Sequence, residues 1–199
     1  MAATRIGIFG GTFDPVHVGH LVAAVNARSV LQLDTVLLVV ANVPWQKVGE
    51  RTISPAEDRF AMVEAAARFA DGVEASAMEI ERGGASYTSD TLRQLLQQHA
   101  GAELFVIVGA DVVAGLPTWE RIEEVRELAT LVVVNRPGSD ATPSLSGLSD
   151  DGWRVTAIEV PALEISSTDL RERARTGRPL DYLVPEAAVA VIRARGLYA

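Results

Sequence analysis

The segment from Gly10 to Leu21 constrains the fold of this chain more than any other. It reads Gly-Gly-Thr-Phe-Asp-Pro-Val-His-Val-Gly-His-Leu and follows a short apolar run, Ile6 to Phe9. An apolar strand that ends at two glycines and continues as a helix directs backbone N–H groups toward one point. His17 and His20, two of the three histidines, then share one face of the start of that helix. The segment therefore predicts a phosphate-binding turn.

Apolar runs alternate with helical patterns along the rest of the chain, which predicts an α/β fold with a doubly wound parallel sheet. Continuous runs of Val, Ile and Leu are typical of parallel strands that are covered on both faces. Strands are predicted at 5–9, 36–41, 73–77, 104–108, 131–134 and 155–160. Helices are predicted from the apolar stripe that begins at residue 18, and at 91–98, 118–127, 168–175 and 186–195. Ser54 to Glu57 resembles a capping box with proline at the first helical position.

Length and composition favour a soluble protein of one domain, residues 1–199. A net charge of −8 argues against binding a nucleic acid backbone, although a few placed cations can hold a small anion. No apolar run approaches the roughly 20 residues that span a bilayer, so no membrane association is expected. The chain has no cysteine, which is compatible with the cytoplasm. Residues 135–152, rich in Pro, Gly, Ser and Asp, are predicted to form a loop.

A second segment, Ile165 to Arg171, places three hydroxyl side chains at the predicted start of a helix. Such hydroxyls and the unpaired N–H groups of a helix start suit anionic oxygens, and an arginine adds a planar donor for phosphate. Taken alone, this run is typical of an ordinary N-cap. Together with the first segment, it predicts a second group of phosphate ligands.

Several interpretations of the first segment stay open at the level of residue types. The dinucleotide fingerprint and the Walker P-loop are excluded, because neither glycine pattern occurs in the chain. His17 and His20, with Asp14 nearby, could instead bind zinc, although no third strong ligand is evident. The segment could also be a tight turn with core histidines.

The two segments together resemble the nucleotidylyltransferase superfamily that is marked by an HxGH motif. Gly11 to His20 supplies that motif, and Ile165 to Arg171 supplies the pattern ISSTxxR. Further segments resemble the bacterial nicotinate-nucleotide adenylyltransferases within it. They are SYTSDTL at 86–92, GAD at 109–111, LPTW at 116–119, RPG at 136–138 and YLVP at 182–185. The resemblance implies a Rossmann-like nucleotidylyltransferase fold.

The resemblance also implies the reaction and its participants. The AMP part of ATP would pass to nicotinate mononucleotide in NAD biosynthesis, with Mg²⁺ as cofactor and with homo-oligomers common among family members. His17, His20 and Arg171 are the implied catalytic residues. The implied ATP ligands are these three together with Gly10, Gly11, Thr12, Phe13, Ser167 and Thr168. The implied ligands of nicotinate mononucleotide are Lys47, Tyr87, Thr88, Asp111 and Trp119.

Lys47 has support of its own, because it is the only lysine beside 17 arginines and follows a predicted strand. A lysine there is expected to bind phosphate as a point charge. Many members of the family have histidine before this lysine, where this chain has Gln46. Trp153, Tyr198 and His99 are assigned to packing or to the surface. Adenylyl transfer to another phosphorylated acceptor, a nucleotide-binding regulatory module and a metal-dependent hydrolase are the alternative functions.

Overall fold

Helices cover both faces of a parallel six-stranded sheet in the computed structural model, which describes residues 3–44, 52–135 and 147–199. The strands lie in the spatial order β3-β2-β1-β4-β5-β6, and every neighbouring pair is parallel. Their bounds are β1 Arg5–Gly11, β2 Thr35–Val40, β3 Val73–Ser76, β4 Glu103–Gly109, β5 Ala129–Asn135 and β6 Val155–Glu159. All six predicted strands and the doubly wound fold are confirmed.

The helices form two layers, each with its own apolar core against the sheet. One layer consists of α1 Val18–Leu31, α2 Ala56–Ala67, α6 Ser167–Arg175 and α7 Glu186–Ala194. The other consists of α3 Met78–Arg82, α4 Thr88–Gln98, a 3₁₀ helix Ala110–Thr118 and α5 Ile122–Leu128. None of the described helices has the length and apolar character needed to cross a membrane.

Four local predictions differ from the structure. The loop predicted at 135–152 includes residue 135, the last of β5, and a helical turn at 147–150, while 136–146 lie outside the described residues. The capping box at Ser54 is wrong: Pro55 is the N-cap residue of α2, because its extended ψ of 144° places it before the helix, and no side chain caps that end. The helix predicted at 118–127 starts only at Ile122, after Arg121 with a left-handed φ of 52°. A 3₁₀ helix that contains Pro117 precedes it. Helix α4 begins at Thr88, ahead of the predicted start, and α3 was not predicted.

The strand order places the glycine ends of β1 and β4 side by side at the middle of the sheet. The chain leaves β1 toward α1 on one face and leaves β4 toward the 3₁₀ helix on the other face. A crevice opens at such a point, outside the carboxyl ends of the strands. The Gly10–Leu21 segment therefore lies where this class of fold binds ligands.

Gly7, inside β1, is expected to tolerate no side chain. A Cβ atom there would lie 2.9 Å from Leu33 Cδ1, 2.9 Å from Val36 Cγ2 and 3.1 Å from Ile107 Cδ1. All three neighbours are buried, so they cannot all move aside at once. Gly7→Ala should lower the free energy of unfolding by about 1–3 kcal/mol in urea denaturation. Gly115→Ala is the control, because no atom lies within 4 Å of its Cβ position, and an equal loss in both variants would contradict the packing argument.

Candidate active site

The loop between β1 and α1 is held in one conformation by its own side chains. Phe13 adopts a left-handed φ of 49°, and its ring lies against the backbone of Gly11. A Cβ atom on Gly11 would lie 2.8 Å from Phe13 Cζ, closer than real Cβ contacts allow. Glycine at position 11 thus serves close packing, in addition to leaving the strand end open to a ligand.

The rings of His17 and His20 stack, with centroids 3.7 Å apart and an angle of 26° between their planes. The backbone N–H of His17, the N-cap residue of α1, donates to Nδ1 of His20 at 3.1 Å. A neutral imidazole that accepts at Nδ1 carries its proton on Nε2. Gly19 leaves room for this arrangement, since a Cβ there would lie 3.1 Å from Nδ1 of His17. Phe13 contacts the His20 ring edge-to-face at 5.0 Å between centroids. The geometry presents His20 as an oriented Nε2–H donor.

Helix α6 contacts the loop between β1 and α1 directly, as the pairing of the two sequence segments predicted. The hydroxyl of Ser167 donates to the carbonyl of Pro15 at 2.9 Å. Nη1 of Arg171 donates to the carbonyl of Asp14 at 2.7 Å, across 157 residues of sequence. Nη2 of Arg171 donates to the Thr168 hydroxyl at 3.1 Å. These bonds fix the start of α6 beside the start of α1, so two helix N-termini lie together at one end of the sheet.

A cavity of about 260 Å³ opens beside the glycine end of β1. The backbone of residues 8–12 and the end of β4 form one part of its wall. Tyr87, Thr88 and Trp119, all partly buried, form another part. Flat aromatic surface beside polar groups suits a planar heterocycle.

The aromatic wall of the cavity is supported from behind. The guanidinium of Arg121 lies 5.3 Å from the centre of the Tyr87 ring. Its Nε donates to the Ser89 hydroxyl at 3.1 Å, and its Nη2 forms an ion pair with Asp90 at 2.6 Å. The backbone N–H of Asn42, after β2, donates to the Ser86 hydroxyl at 2.8 Å. Contacts from two separate parts of the chain, Arg121 and Asn42, therefore support the segment that carries Tyr87.

Arg59 is buried on α2, with 1% of its surface exposed, and it joins three loops. Its Nη1 donates to the carbonyl of Thr12 at 2.9 Å, its Nη2 to that of Asn42 at 3.0 Å and its Nε to that of Ser54 at 2.8 Å. Two of these carbonyls belong to loops beside the cavity and the histidine pair. A guanidinium carries several N–H donors in a fixed planar arrangement, so one side chain can donate to three carbonyls.

Within the part of the chain that the structure describes, the first segment has no set of zinc ligands. Among residues 3–44, 52–135 and 147–199, no group of three or more His, Cys, Asp or Glu side chains could hold a metal ion. Asp14 is 1% exposed, and its Oδ1 accepts a hydrogen bond from the Tyr198 hydroxyl at 2.7 Å. The Asp14 carboxylate is therefore buried and hydrogen-bonded to another side chain of the protein.

Comparison with known proteins gives the chain its family. The model of the family described as Cytidylyltransferase-like matches residues 8–173. A protein of Corynebacterium kroppenstedtii is 47% identical, over 98% of this chain and 90% of its own length. One of Acidothermus cellulolyticus is 48% identical, over 98% of this chain and 94% of its own. Both carry the name "Probable nicotinate-nucleotide adenylyltransferase". The chain belongs to the nicotinate-nucleotide adenylyltransferase family.

Solved structures share the fold of this adenylyltransferase. The nicotinic acid mononucleotide adenylyltransferase of Plasmodium falciparum, complexed with NaAD, superimposes with a TM-score of 0.77 at 15% identity. The superposition covers 98% of this chain and 97% of that one. A second structure of the same protein, complexed with APC, gives a TM-score of 0.75. At this identity the likeness concerns the fold.

The structure of the adenylyltransferase brings most of the predicted site residues to one end of the sheet. Asp111 is exposed at the start of the 3₁₀ helix and does not line the cavity, and its Oδ1 folds back over Gly109. Lys47 lies outside the described residues, as do Gln46 and the RPG segment at 136–138.

Sequence reasoning missed the residues that support the site. Arg59 and Arg121 are two of 17 arginines, and no local pattern distinguishes them from surface arginines. Glu79, also missed, lines the cavity and accepts a hydrogen bond from Thr91 at 2.6 Å. The one available signal was the apolar pattern of α2, which would have placed Arg59 on the buried face with Met62 and Val63.

Replacement of Arg59 by methionine should destabilise the adenylyltransferase strongly. The variant keeps a long apolar stem and leaves the three carbonyls without this donor, so we expect a loss of about 3 kcal/mol or more. Urea denaturation followed by circular dichroism measures it. Arg68→Met, at the exposed C-terminal end of the same helix, is the matched control and should change stability by less than about 0.5 kcal/mol. Equal losses in the two variants would contradict the role of Arg59.

Proposed function

We propose that this chain transfers the adenylyl group of ATP to nicotinate mononucleotide, giving nicotinate adenine dinucleotide and pyrophosphate in NAD biosynthesis. The observation that carries the proposal is the direct contact between α6 and the loop of the histidine pair, next to a cavity with an aromatic wall. The proposed site for a triphosphate therefore adjoins the proposed site for a flat heterocycle. The family membership of the chain supports the same reaction.

The chemistry requires positioning more than proton transfer. An oxygen of the nucleotide phosphate attacks the α-phosphorus of ATP and forms a new P–O bond. The bond from that phosphorus to the bridging oxygen of the β-phosphate breaks, and pyrophosphate leaves with the electron pair. The attacking phosphate is already largely anionic at neutral pH, since its second pKa is about 6. Catalysis therefore depends on alignment and on donors for the charge that develops.

In the proposal, the triphosphate lies between the starts of α1 and α6. His17, His20 and Arg171 are the catalytic donors, and Nε2–H of His20 faces the developing charge. Backbone and side-chain groups that share this end of the sheet complete the ATP site: Gly10, Gly11, Thr12, Phe13, Ser167 and Thr168. Two positive helix ends and a guanidinium favour an anionic ligand there.

Nicotinate mononucleotide occupies the cavity in the proposal. Tyr87 and Trp119 hold the pyridine ring, and Thr88 lies beside them in the wall. Lys47 is proposed as a ligand of the acceptor phosphate, a role that stays a prediction. Asp111, which does not line the cavity, is proposed to lie near the ribose of the acceptor.

Mg²⁺ is proposed to enter with ATP. It retains water and binds phosphate oxygens in such sites, and it needs few protein ligands. When bound, it would neutralise charge on the phosphates of ATP. The absence of a group of three metal-ligating side chains among the described residues is compatible with that mode. With a net charge of −8, we propose small nucleotides and no nucleic acid as partners, a cytoplasmic location, and one domain over residues 1–199.

An acceptor panel tests the proposed reaction. The purified protein is incubated with ATP and Mg²⁺ and with nicotinate mononucleotide, nicotinamide mononucleotide, phosphopantetheine or no acceptor, and pyrophosphate release is measured. We expect the highest kcat/KM with nicotinate mononucleotide, because the cavity combines an aromatic wall with polar groups. A preference for phosphopantetheine would contradict the acceptor. No release with any acceptor would favour a binding module without turnover.

His20→Ala tests the histidine pair. The variant loses the oriented Nε2–H donor, so kcat should fall about a hundredfold or more while the melting temperature changes little. His99→Ala is the control, because His99 is exposed at the end of α4 and the site does not use it. A turnover of the His20 variant within a few-fold of wild type would show that His20 has no catalytic role.

A further inference from the structure

The C-terminal residues of the chain reach back to the loop of the histidine pair. After α7 the chain turns at Tyr198, whose φ is 66°, and the Leu197 N–H donates to the Ile192 carbonyl at 3.0 Å. The ring of Tyr198 packs against the apolar core, as its assignment to packing predicted. Its hydroxyl goes further and donates to Oδ1 of Asp14 at 2.7 Å, across 184 residues of sequence.

Asp14 joins this hydroxyl to the proposed ATP site. Its side chain accepts from Tyr198, while its backbone carbonyl accepts from Nη1 of Arg171 at 2.7 Å. The same loop continues to His17, three residues further on, which caps α1. A displacement of Asp14 therefore moves an Arg171 contact and the start of the helix that carries the histidine pair.

The hydroxyl of Tyr198 is a permanent donor to this carboxylate. Burial and the hydrogen bond to Asp14 raise the pKa of Tyr198 far above its ordinary value, so it stays protonated throughout the working range of an enzyme. A buried carboxylate requires hydrogen-bond donors, and loss of one of them favours a different orientation. A displacement of about 1 Å at reacting groups can cost about a hundredfold in rate.

We propose that Tyr198 is a positioning residue for the ATP side of the site and acts through Asp14. This inference rests on the proposed adenylyl transfer. It predicts a separation between the two substrates, because the acceptor wall is held elsewhere: Arg121 and Asn42 support the segment of Tyr87, and neither contact involves Asp14. Loss of the Tyr198 hydroxyl should therefore impair the use of ATP and spare the binding of nicotinate mononucleotide.

Tyr198→Phe tests the inference, because it removes the hydroxyl and keeps the ring in the core. Initial rates of pyrophosphate release are measured with each substrate varied in turn, well below the melting temperature of each variant. We expect kcat/KM for ATP to fall about tenfold, with KM for nicotinate mononucleotide within twofold of wild type. Tyr182→Phe is the matched control, since the Tyr182 side chain is 95% exposed, and it should leave both constants unchanged.

The outcomes are distinguishable. A kcat/KM for ATP within twofold of wild type would overturn the inference. An equal change in KM for both substrates would also overturn it. A loss of activity that matches the loss of folded protein measured by circular dichroism would overturn it as well. Wild-type turnover in the same assay separates the two proposals: its absence would contradict the proposed function together with this inference, whereas a fully active Tyr198→Phe variant would contradict the inference alone.

Discussion

The hydrogen bonds of the buried Arg59 guanidinium are the interaction on which the end of the sheet with the candidate active site depends. It is fixed on α2 and donates to carbonyls after β1, after β2 and before α2. Loops at a sheet end otherwise present backbone oxygens that need partners from elsewhere. One side chain supplies three of these partners. The loop that leads to His17 therefore keeps its shape without a ligand to organise it, which lowers the entropic cost of binding one.

A second principle of the candidate site is that each proposed substrate region has further supports of its own, besides the contacts of Arg59 that both regions share. Asp14 and its contacts hold the loop near the histidine pair, whereas Arg121 and Asn42 hold the segment that carries Tyr87. The backbone of β1 lies between these supports and contributes to the cavity wall. Sites built on strands and helices are more precise than sites on loops, so in the proposed reaction the sheet would contribute to the alignment of the two substrates.

The sequence predicted the architecture well, because the four central strands, β2, β1, β4 and β5, contain apolar runs. It also predicted that Ile165 to Arg171 meets the first segment, since phosphate ligands of both kinds belong at one end of a parallel sheet. It did not predict α3 or the 3₁₀ helix. It also misplaced the starts of α2 and α5, where a proline and a left-handed arginine override local propensity. The contacts of Arg59 and Tyr198 could not be predicted, because they join distant segments and no periodic pattern in the sequence indicates them.

The bonds from Arg171 and Tyr198 to Asp14 span 157 and 184 residues. Closing such long stretches of chain costs entropy, and contacts between distant segments slow folding. During synthesis, β1 and the histidine pair leave the ribosome long before the groups that complete their surroundings. Competence for catalysis would arise only after α6 and Tyr198 have been added, so that a chain interrupted before them would hold the histidines without these contacts.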